Sequence, residues 1–457
     1  MDARFAPRLR AMVDQAECSA DVTDGLRDRL SGFLQPFVVS LLVPEQQNHV
    51  REYVQGLFSK LERKSGEAIA YLHDQERQGL QKFLGQVPWD HQPLLNTLAR
   101  QVGEQIGAAD GVIVFDPSSF PKKGKMSVGV APQWCGRLSK VENCQVGILM
   151  GYVSRHEHAL VNERLYLPEE WTRDRKRCTQ AGIPAGTRFR TRHELALEML
   201  DEQGALLPHA WVTGDDEMGR PAEFRRHLRE RGEQYLLAVP STTLIRNLET
   251  EPPAYAGRGR PRQRPYQQVH RWCAALPETT WTPLDVRDGD KGPLLTEAVR
   301  CRVTARLGKK NGPEEWLFVT RERQSDGSIK HDYYLGHTDG ADVSLAELAR
   351  VTKAEHRIEE CIRRGKSDAG MGDYQVRNWV GWHHHLTLSL VAAWFLVGET
   401  RRGKNTHPRA DAPTRTRPDR QPARGAITLQ PAGKRTTTHD TLADPKRTGT
   451  LLSLPCA

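Results

Sequence analysis

The sequence predicts an α+β chain: a helical N-terminal region, a core that alternates strands with helices, a β-rich insertion and a helical close. Three observations lead there. Apolar residues recur at helical spacing up to about residue 108, and from Gly111 the texture changes to short β-branched and aromatic runs bounded by Gly, Pro or charged residues. Two of those runs end on an aspartate.

At 457 residues and 51.6 kDa the chain has the length for two or three domains and a large core. Hydrophobic residues make up 38% and the mean hydropathy is -0.62, as in soluble proteins. The best apolar run, Leu386 to Val397, is too short to span a bilayer, so no membrane partner is expected. The N-terminus, Met-Asp-Ala-Arg-Phe-Ala-Pro-Arg, lacks the apolar core of a signal peptide, and the expected location is the cytoplasm. Eight scattered cysteines (Cys18, Cys135, Cys144, Cys178, Cys273, Cys301, Cys361, Cys456) show no zinc spacing and read as reduced structural thiols. The formal charge of +9 suggests a polyanionic partner, but its location matters: residues 401–457 hold 12 Lys/Arg against 4 Asp/Glu. The tail carries the surplus, and the folded body is close to neutral.

Residues 1–108 read as a helical N-terminal domain. Leu26, Leu30, Phe33 and Leu34 form one stripe and Val50, Val54, Leu57 and Leu61 another. Its interleaved cations, Arg8, Arg10, Arg27, Arg29, Lys60, Arg63 and Lys64, suit phosphate contacts and equally suit ordinary solvated faces.

The core begins over 109–240. Val112 to Phe115 is a short buried-type strand that delivers Asp116 to a turn, and Pro117, lacking an N–H, is expected to end the pairing. Strands follow at Gln145 to Tyr152 and His158 to Leu167, then a helix near His193 to Asp201. A fourth strand, Ala210 to Thr213, leads to Gly214-Asp215-Asp216-Glu217, the second strand-end acid. A helix near Ala222 to Arg231 and a fifth strand, Tyr235 to Val239, complete the series. Three strands, helix, strand, helix, strand is the order of an RNase H-like fold.

Residues 241–342 read as a β-rich insertion with a basic loop, Tyr255 to Tyr266. Within it, Arg258-Gly259-Arg260-Pro261 has the form of an AT-hook core, in which Arg258 and Arg260 suit a narrow minor groove. Residues 343–398 should return to the core as helices, with a capping box at Ser344 and Glu347. On the first of them Ile358, Cys361 and Ile362 share one side, while Glu359, Arg363 and Lys366 line another. The last helix, Trp382 to Val397, is apolar enough to close the core. The Arg-, Thr- and Pro-rich segment 399–457 reads as a basic disordered tail.

Three carboxylates from a first strand, a fourth strand and a late helix match what two-metal phosphoryl transfer needs, because hard divalent ions prefer oxygen ligands. Asp116 would bridge two Mg²⁺ ions, Mn²⁺ substituting, while Asp215 and Glu359 complete one each. Other constellations are weaker. His383-His384-His385 are consecutive, whereas helix neighbours converge only at i+3 or i+4, so an ordinary helix end is the simpler reading. Ser118 stands where a haloacid-dehalogenase-type phosphotransferase needs a second Asp, and no Walker pattern occurs.

These residues carry a resemblance. Phe115-Asp-Pro-Ser-Ser-Phe-Pro-Lys-Lys-Gly124, Trp211-Val-Thr-Gly-Asp215 with Gly219, Ile358-Glu-Glu-Cys followed by Lys366, and Tyr374-Gln-Val-Arg-Asn-Trp together resemble the DDE transposases of bacterial insertion sequences. The resemblance covers roughly residues 70 to 398. It implies an RNase H-like catalytic domain, the triad Asp116, Asp215 and Glu359, and Lys366 as a DNA contact. It also implies metal-dependent cleavage and strand transfer on double-stranded DNA, with terminal inverted repeats and target as partners and a homodimer pairing two ends. Related transposases carry Tyr-x2-Arg-x3-Glu-x6-Lys on the late helix, where this chain has Thr352 and Glu355 before Glu359 and Lys366. Glu360 and Asp368 therefore stand as alternatives to Glu359, and Asp216 and Glu217 as alternatives to Asp215. An inactive transposase-derived DNA-binding protein and an RNase H-like nuclease are the rival functions.

Overall fold

The computed structural model describes residues 25–406 apart from 60, 62, 256, 258–262, 290–291, 309, 325, 339 and 341. Arg258 and Arg260, and the tail from 407 onward, lie outside the described residues.

Five helices come first: α1 (Leu26–Val38), α2 (Pro44–Leu57), α3 (Gly66–Leu72), α4 (Arg77–Gly85) and α5 (Gln92–Ile106). The apolar stripes read from the sequence are their inner faces, since Leu26, Leu30, Leu34, Val50, Val54 and Leu57 are all buried. They pack into one continuous hydrophobic core with the strands and helices that follow, and so share the core of the body they precede.

The central region contains β1 (Val112–Pro121), β2 (Ala131–Cys135), β3 (Lys140–Val153) and β4 (His158–Tyr166). Then come α6 (Glu169–Arg173), α7 (Arg175–Gln180), α8 (Arg192–Gln203), β5 (Trp211–Gly214), α9 (Asp216–Gly219), α10 (Ala222–Glu230) and β6 (Tyr235–Ala238). β1 and β4 flank β3 in antiparallel pairing, β5 runs parallel to β1, and β6 runs parallel to β5. The spatial order of the five long-predicted strands is thus β4-β3-β1-β5-β6. β2 went unread because Ala131-Pro-Gln-Trp-Cys has no apolar run; it exists as a rider on the first half of β3.

Pro117 does not end the pairing. The ladder with β3 continues through Pro117↔Ile148 to Pro121↔Cys144. The parallel ladder with β5 stops at Phe115↔Gly214, so beyond that point β1 has one strand neighbour fewer and a missing N–H is tolerated.

The insertion forms β7 (Leu244–Asn247), β8 (Gln267–Gln268), α11 (Val269–Ala274), β9 (Thr282–Gly289), β10 (Gly292–Leu307), β11 (Lys310–Arg323) and β12 (Ile329–His337). Its pairing is antiparallel, and β12 joins β6 at Leu335↔Leu237, giving one mixed sheet of 12 strands. A second apolar core, including Ile245, Trp272, Val303, Leu317 and Leu335, lies under these strands.

Two long helices close the fold: α12 (Leu345–Asp368) and α13 (Trp379–Thr406). Only half of the expected capping box forms. Ser344 Oγ accepts from the Glu347 N–H at 3.2 Å, but the Glu347 carboxylate turns to Trp211 Nε1 and Arg350 instead. Ile358, Cys361 and Ile362 are buried as the periodicity predicts. α13 runs past the expected end at 398, where Glu399 pairs with Arg29 at 2.7 Å. The described cysteines are free and buried, and no helix among the described residues is long and apolar enough to cross a membrane.

One glycine fixes the backbone near the second strand-end acid. A Cβ at Gly219 would lie 1.9 Å from the Ala238 carbonyl oxygen, which is backbone in β6 and cannot move aside. Gly219→Ala should therefore lower stability by about 1–3 kcal/mol, as overpacking does. Gly124→Ala, where a Cβ meets nothing within 4 Å, is the matched control. Denaturant unfolding of the two variants checks this; equal midpoints would remove the steric argument.

Candidate active site

β1 and β5 are adjacent and parallel, with Phe115 opposite Gly214 as the last pair. The next residues therefore lie just past the end of that parallel ladder, on strands about 4.8 Å apart: Asp215 leaves the end of β5, while Asp116 is not delivered to a turn but stays within β1, paired with Leu149 of β3. Asp215 is also the N-cap of α9, accepting the Met218 N–H at 3.0 Å, and that bond fixes its orientation. α12 packs across β1, β3 and β5. It approaches β3 over Gly151, where a Cβ would stand 2.4 Å from Ile358 Cδ1, so the absent side chain lets the helix seat closely.

On that helix the acids are Glu355 and Glu359, one turn apart and hence on one face. Burial pushes the Asp116 carboxyl up to about 8, and the charges of Asp215 and Glu359 add to the shift while Lys366 opposes it. Glu355 is likewise pushed up to about 8 by burial, then by Asp215, Glu359 and Asp116. Asp215 rises to about 6, again mainly through burial, with the Met218 N–H pulling the other way. Glu359 itself is the exposed member, 3.5 Å from His356 Nδ1.

Four carboxylates thus share one field where the sequence proposed three. Glu355 was read only as the position of a missing arginine; its i, i+4 relation to Glu359 was the available signal. The competing acids have partners of their own, although Glu217 still adds its charge to the field on Asp116 and Asp215, and Asp216 to that on Asp215. Glu360 is bonded to Arg364 at 2.5 Å, and the charges acting on it are mainly those of cations. Asp368 accepts from Ser367, Asp216 is exposed beside Arg220, and Glu217 is paired with Arg192.

Lys366 reaches back to the first strand, donating to Ser118 Oγ at 2.8 Å and the Ser119 carbonyl at 3.1 Å, with its ammonium 4.7 Å from the Phe120 ring centre. It ties α12 to the strand that carries Asp116. Arg363 is exposed, with Glu360 at 3.7 Å. A cation the sequence reading did not single out, Lys122, lies over the Tyr374 ring at 3.4 Å, and burial lowers its pKa to about 8.

The donor set fits a hard divalent cation: carboxylate oxygens from two neighbouring strands and one helix face, held where they cannot all ionise without a counter-charge. Folded Asp116 and Glu355 keep protons up to about 8, whereas free carboxyls lose them near 4. Between those values these two groups bind more protons in the folded state than in the unfolded one, so their contribution to metal-free stability falls as pH rises from about 4 to about 8. In chelator, Asp116→Asn should melt above wild type at pH 8, with the gap closing at pH 5. Thermal melts at both pH values check it, and a gap that widens toward pH 5 would refute the repulsion.

No curated protein matches the chain. Among solved structures it is similar to the cryo-EM structure of piggyBac transposase synaptic complex with hairpin DNA, at 10% identity and a TM-score of 0.38, covering 84% of this chain and 78% of that one. The family model described as DDE superfamily endonuclease matches residues 36–293, a stretch that includes Asp116 and Asp215 and stops before α12. The chain belongs to the DDE superfamily endonucleases.

Proposed function

We propose that this endonuclease is a DDE transposase of the insertion-sequence type, which cuts the ends of its element by water attack and joins the freed 3′-hydroxyl to target DNA. The observation that carries the reading is the meeting of Asp116 and Asp215, just past the parallel ladder of β1 and β5, with Glu355 and Glu359 on one face of α12. The order β4-β3-β1-β5-β6 supports an RNase H-like core over 109–240 and 343–398, interrupted by the insertion at 241–342. In the same reading 1–108 and the basic loop recognise terminal repeats, the tail 399–457 adds loose affinity for DNA, and a homodimer in the cytoplasm pairs two ends.

Asp116, Asp215 and Glu359, with Glu355 behind it, would hold two Mg²⁺ ions, which when bound activate the attacking oxygen and stabilise the leaving one. The chain's own part is positioning. Asp215 is fixed by its helix cap, and Glu355 and Glu359 ride on a helix whose seat on β3 is set by Gly151. Lys366, anchored on Ser118 and Ser119, puts a cation on the Asp116 side of the helix, where a scissile phosphate would need one.

The test is metal-dependent cleavage and strand transfer on a duplex carrying the element's own end. Asp116→Asn and Asp215→Asn should each lower both steps by more than about 100-fold, the scale on which a single transition-state contact acts, while end binding persists. Comparing Glu355→Gln with Glu359→Gln identifies the third acid. Wild type that binds ends but never cuts with Mg²⁺ or Mn²⁺ would favour the inactive DNA-binding reading, and cutting without joining would favour the nuclease.

A further inference from the structure

The run His383-His384-His385 holds three elements at once. His385 Nδ1 meets the Tyr53 hydroxyl at 2.8 Å, and His384 lies between the Leu84 and Trp89 carbonyls at 3.0 and 2.9 Å. His383 differs from both. Its Nδ1 lies 3.0 Å from the Trp379 carbonyl one turn back, which leaves Nε2 for something outside the helix. Facing it are His91, the residue before α5, and Glu163 of β4. One ligand atom from each of the three lies within 4.8 Å of the others, the group among the described residues with that property.

The surroundings are those of a ligand set. Glu163 is completely buried, with Thr387 donating to Oε1 at 3.5 Å and no hydrogen-bond partner on Oε2. Thr387 lies one turn beyond His383, so one helix face orients both the imidazole and the carboxylate. Burial holds His91 and His383 below the ordinary imidazole range, in the neutral form that binds metals. A buried His whose other nitrogen is committed to a carbonyl is the usual outer arrangement of a metal ligand. The cation nearest the set, Arg164, is already engaged by Asn162 Oδ1 and Glu202.

We propose that His91, Glu163 and His383 form a zinc site that clamps the start of α5 and the start of α13 to the sheet. Two imidazoles and one carboxylate are borderline N/O donors suited to Zn²⁺, unlike the all-oxygen set at the strand ends, and leave a fourth position for water. Tetrahedral zinc would draw the donor atoms to about 3.4 Å from one another, a movement of about 1 Å that side-chain torsions supply. The consecutive spacing that argued against a histidine run as a chelate does not apply, because only His383 enters the site and its partners come from other elements.

The test uses the full chain without affinity histidines, in an Asp116→Asn, Asp215→Asn background so that the strand-end acids contribute little. After chelation and dialysis, Zn²⁺ alone should bind at one equivalent and raise the melting midpoint, and Mg²⁺ should not. Co²⁺ in its place should give the visible absorption of a four-coordinate site. His91→Gln, at a half-buried position, should change the metal-free midpoint little and lose zinc affinity beyond the roughly 100-fold that loss of an outer partner costs. His383→Asn should lose it likewise. Failure of wild type to take up zinc, as expected if a protonated Glu163 simply hydrogen-bonds a histidine, overturns the site. So does uptake unchanged in His91→Gln. Neither result bears on cleavage at the strand ends.

Discussion

Loss of hydration, with mutual repulsion added to it, in a cluster of carboxylates is the constraint around which this fold is arranged. Asp116, Asp215 and Glu355 each hold a proton well above the usual carboxylate range, because each loses hydration and each has other carboxylates beside it. Such a cluster is costly to the metal-free fold, and the surrounding structure has to offset it. It does so with two apolar cores and a sheet of 12 strands, large for a chain of this length. The same repulsion that weakens the empty fold is what makes the site receptive to divalent cations.

Holding α12 against that repulsion falls to contacts away from the acids. Ile358 seats over Gly151, and Lys366 bridges to Ser118 and the Ser119 carbonyl. Behind α12, Trp382 of α13 sits over Gly147, where a Cβ would come within 3.1 Å of its ring. Both helices therefore approach β3 at positions without side chains, and the acids on α12 inherit their placement from that approach. His384 and His385 then fasten α13 to the N-terminal elements, through the Leu84 and Trp89 carbonyls and the Tyr53 hydroxyl.

Much of this was legible in the chain. The β-branched run at Val112, the Gly-Asp at 214–215 and the period of Ile358, Cys361 and Ile362 reported elements and burial directly, because local pattern and tertiary demand agree there. What failed to show was non-local. Pro117 reads as a stop, and it is tolerated only because β5 is short. β2 is held by β3 and not by its own composition. The importance of Glu355 depends on which way α12 faces, and periodicity gives the face but not its neighbour. The role of His383 depends on His91 and Glu163, hundreds of residues away in sequence, and no spacing rule links them.

The link between the core and the inserted strands runs through a buried ion pair. Arg225 of α10 donates to Glu315 of β11 at 2.8 Å, both side chains almost wholly buried; Tyr235 donates to the same carboxylate, and Arg225 also reaches the Gly219 carbonyl. The turn that carries Asp215 is therefore braced by a residue of the insertion. Trimming the protein to a minimal core would strand a guanidinium in an apolar interior, a loss of about 3–5 kcal/mol when one partner of such a pair is removed. β11 therefore cannot be discarded without rebuilding the support of the turn that carries Asp215.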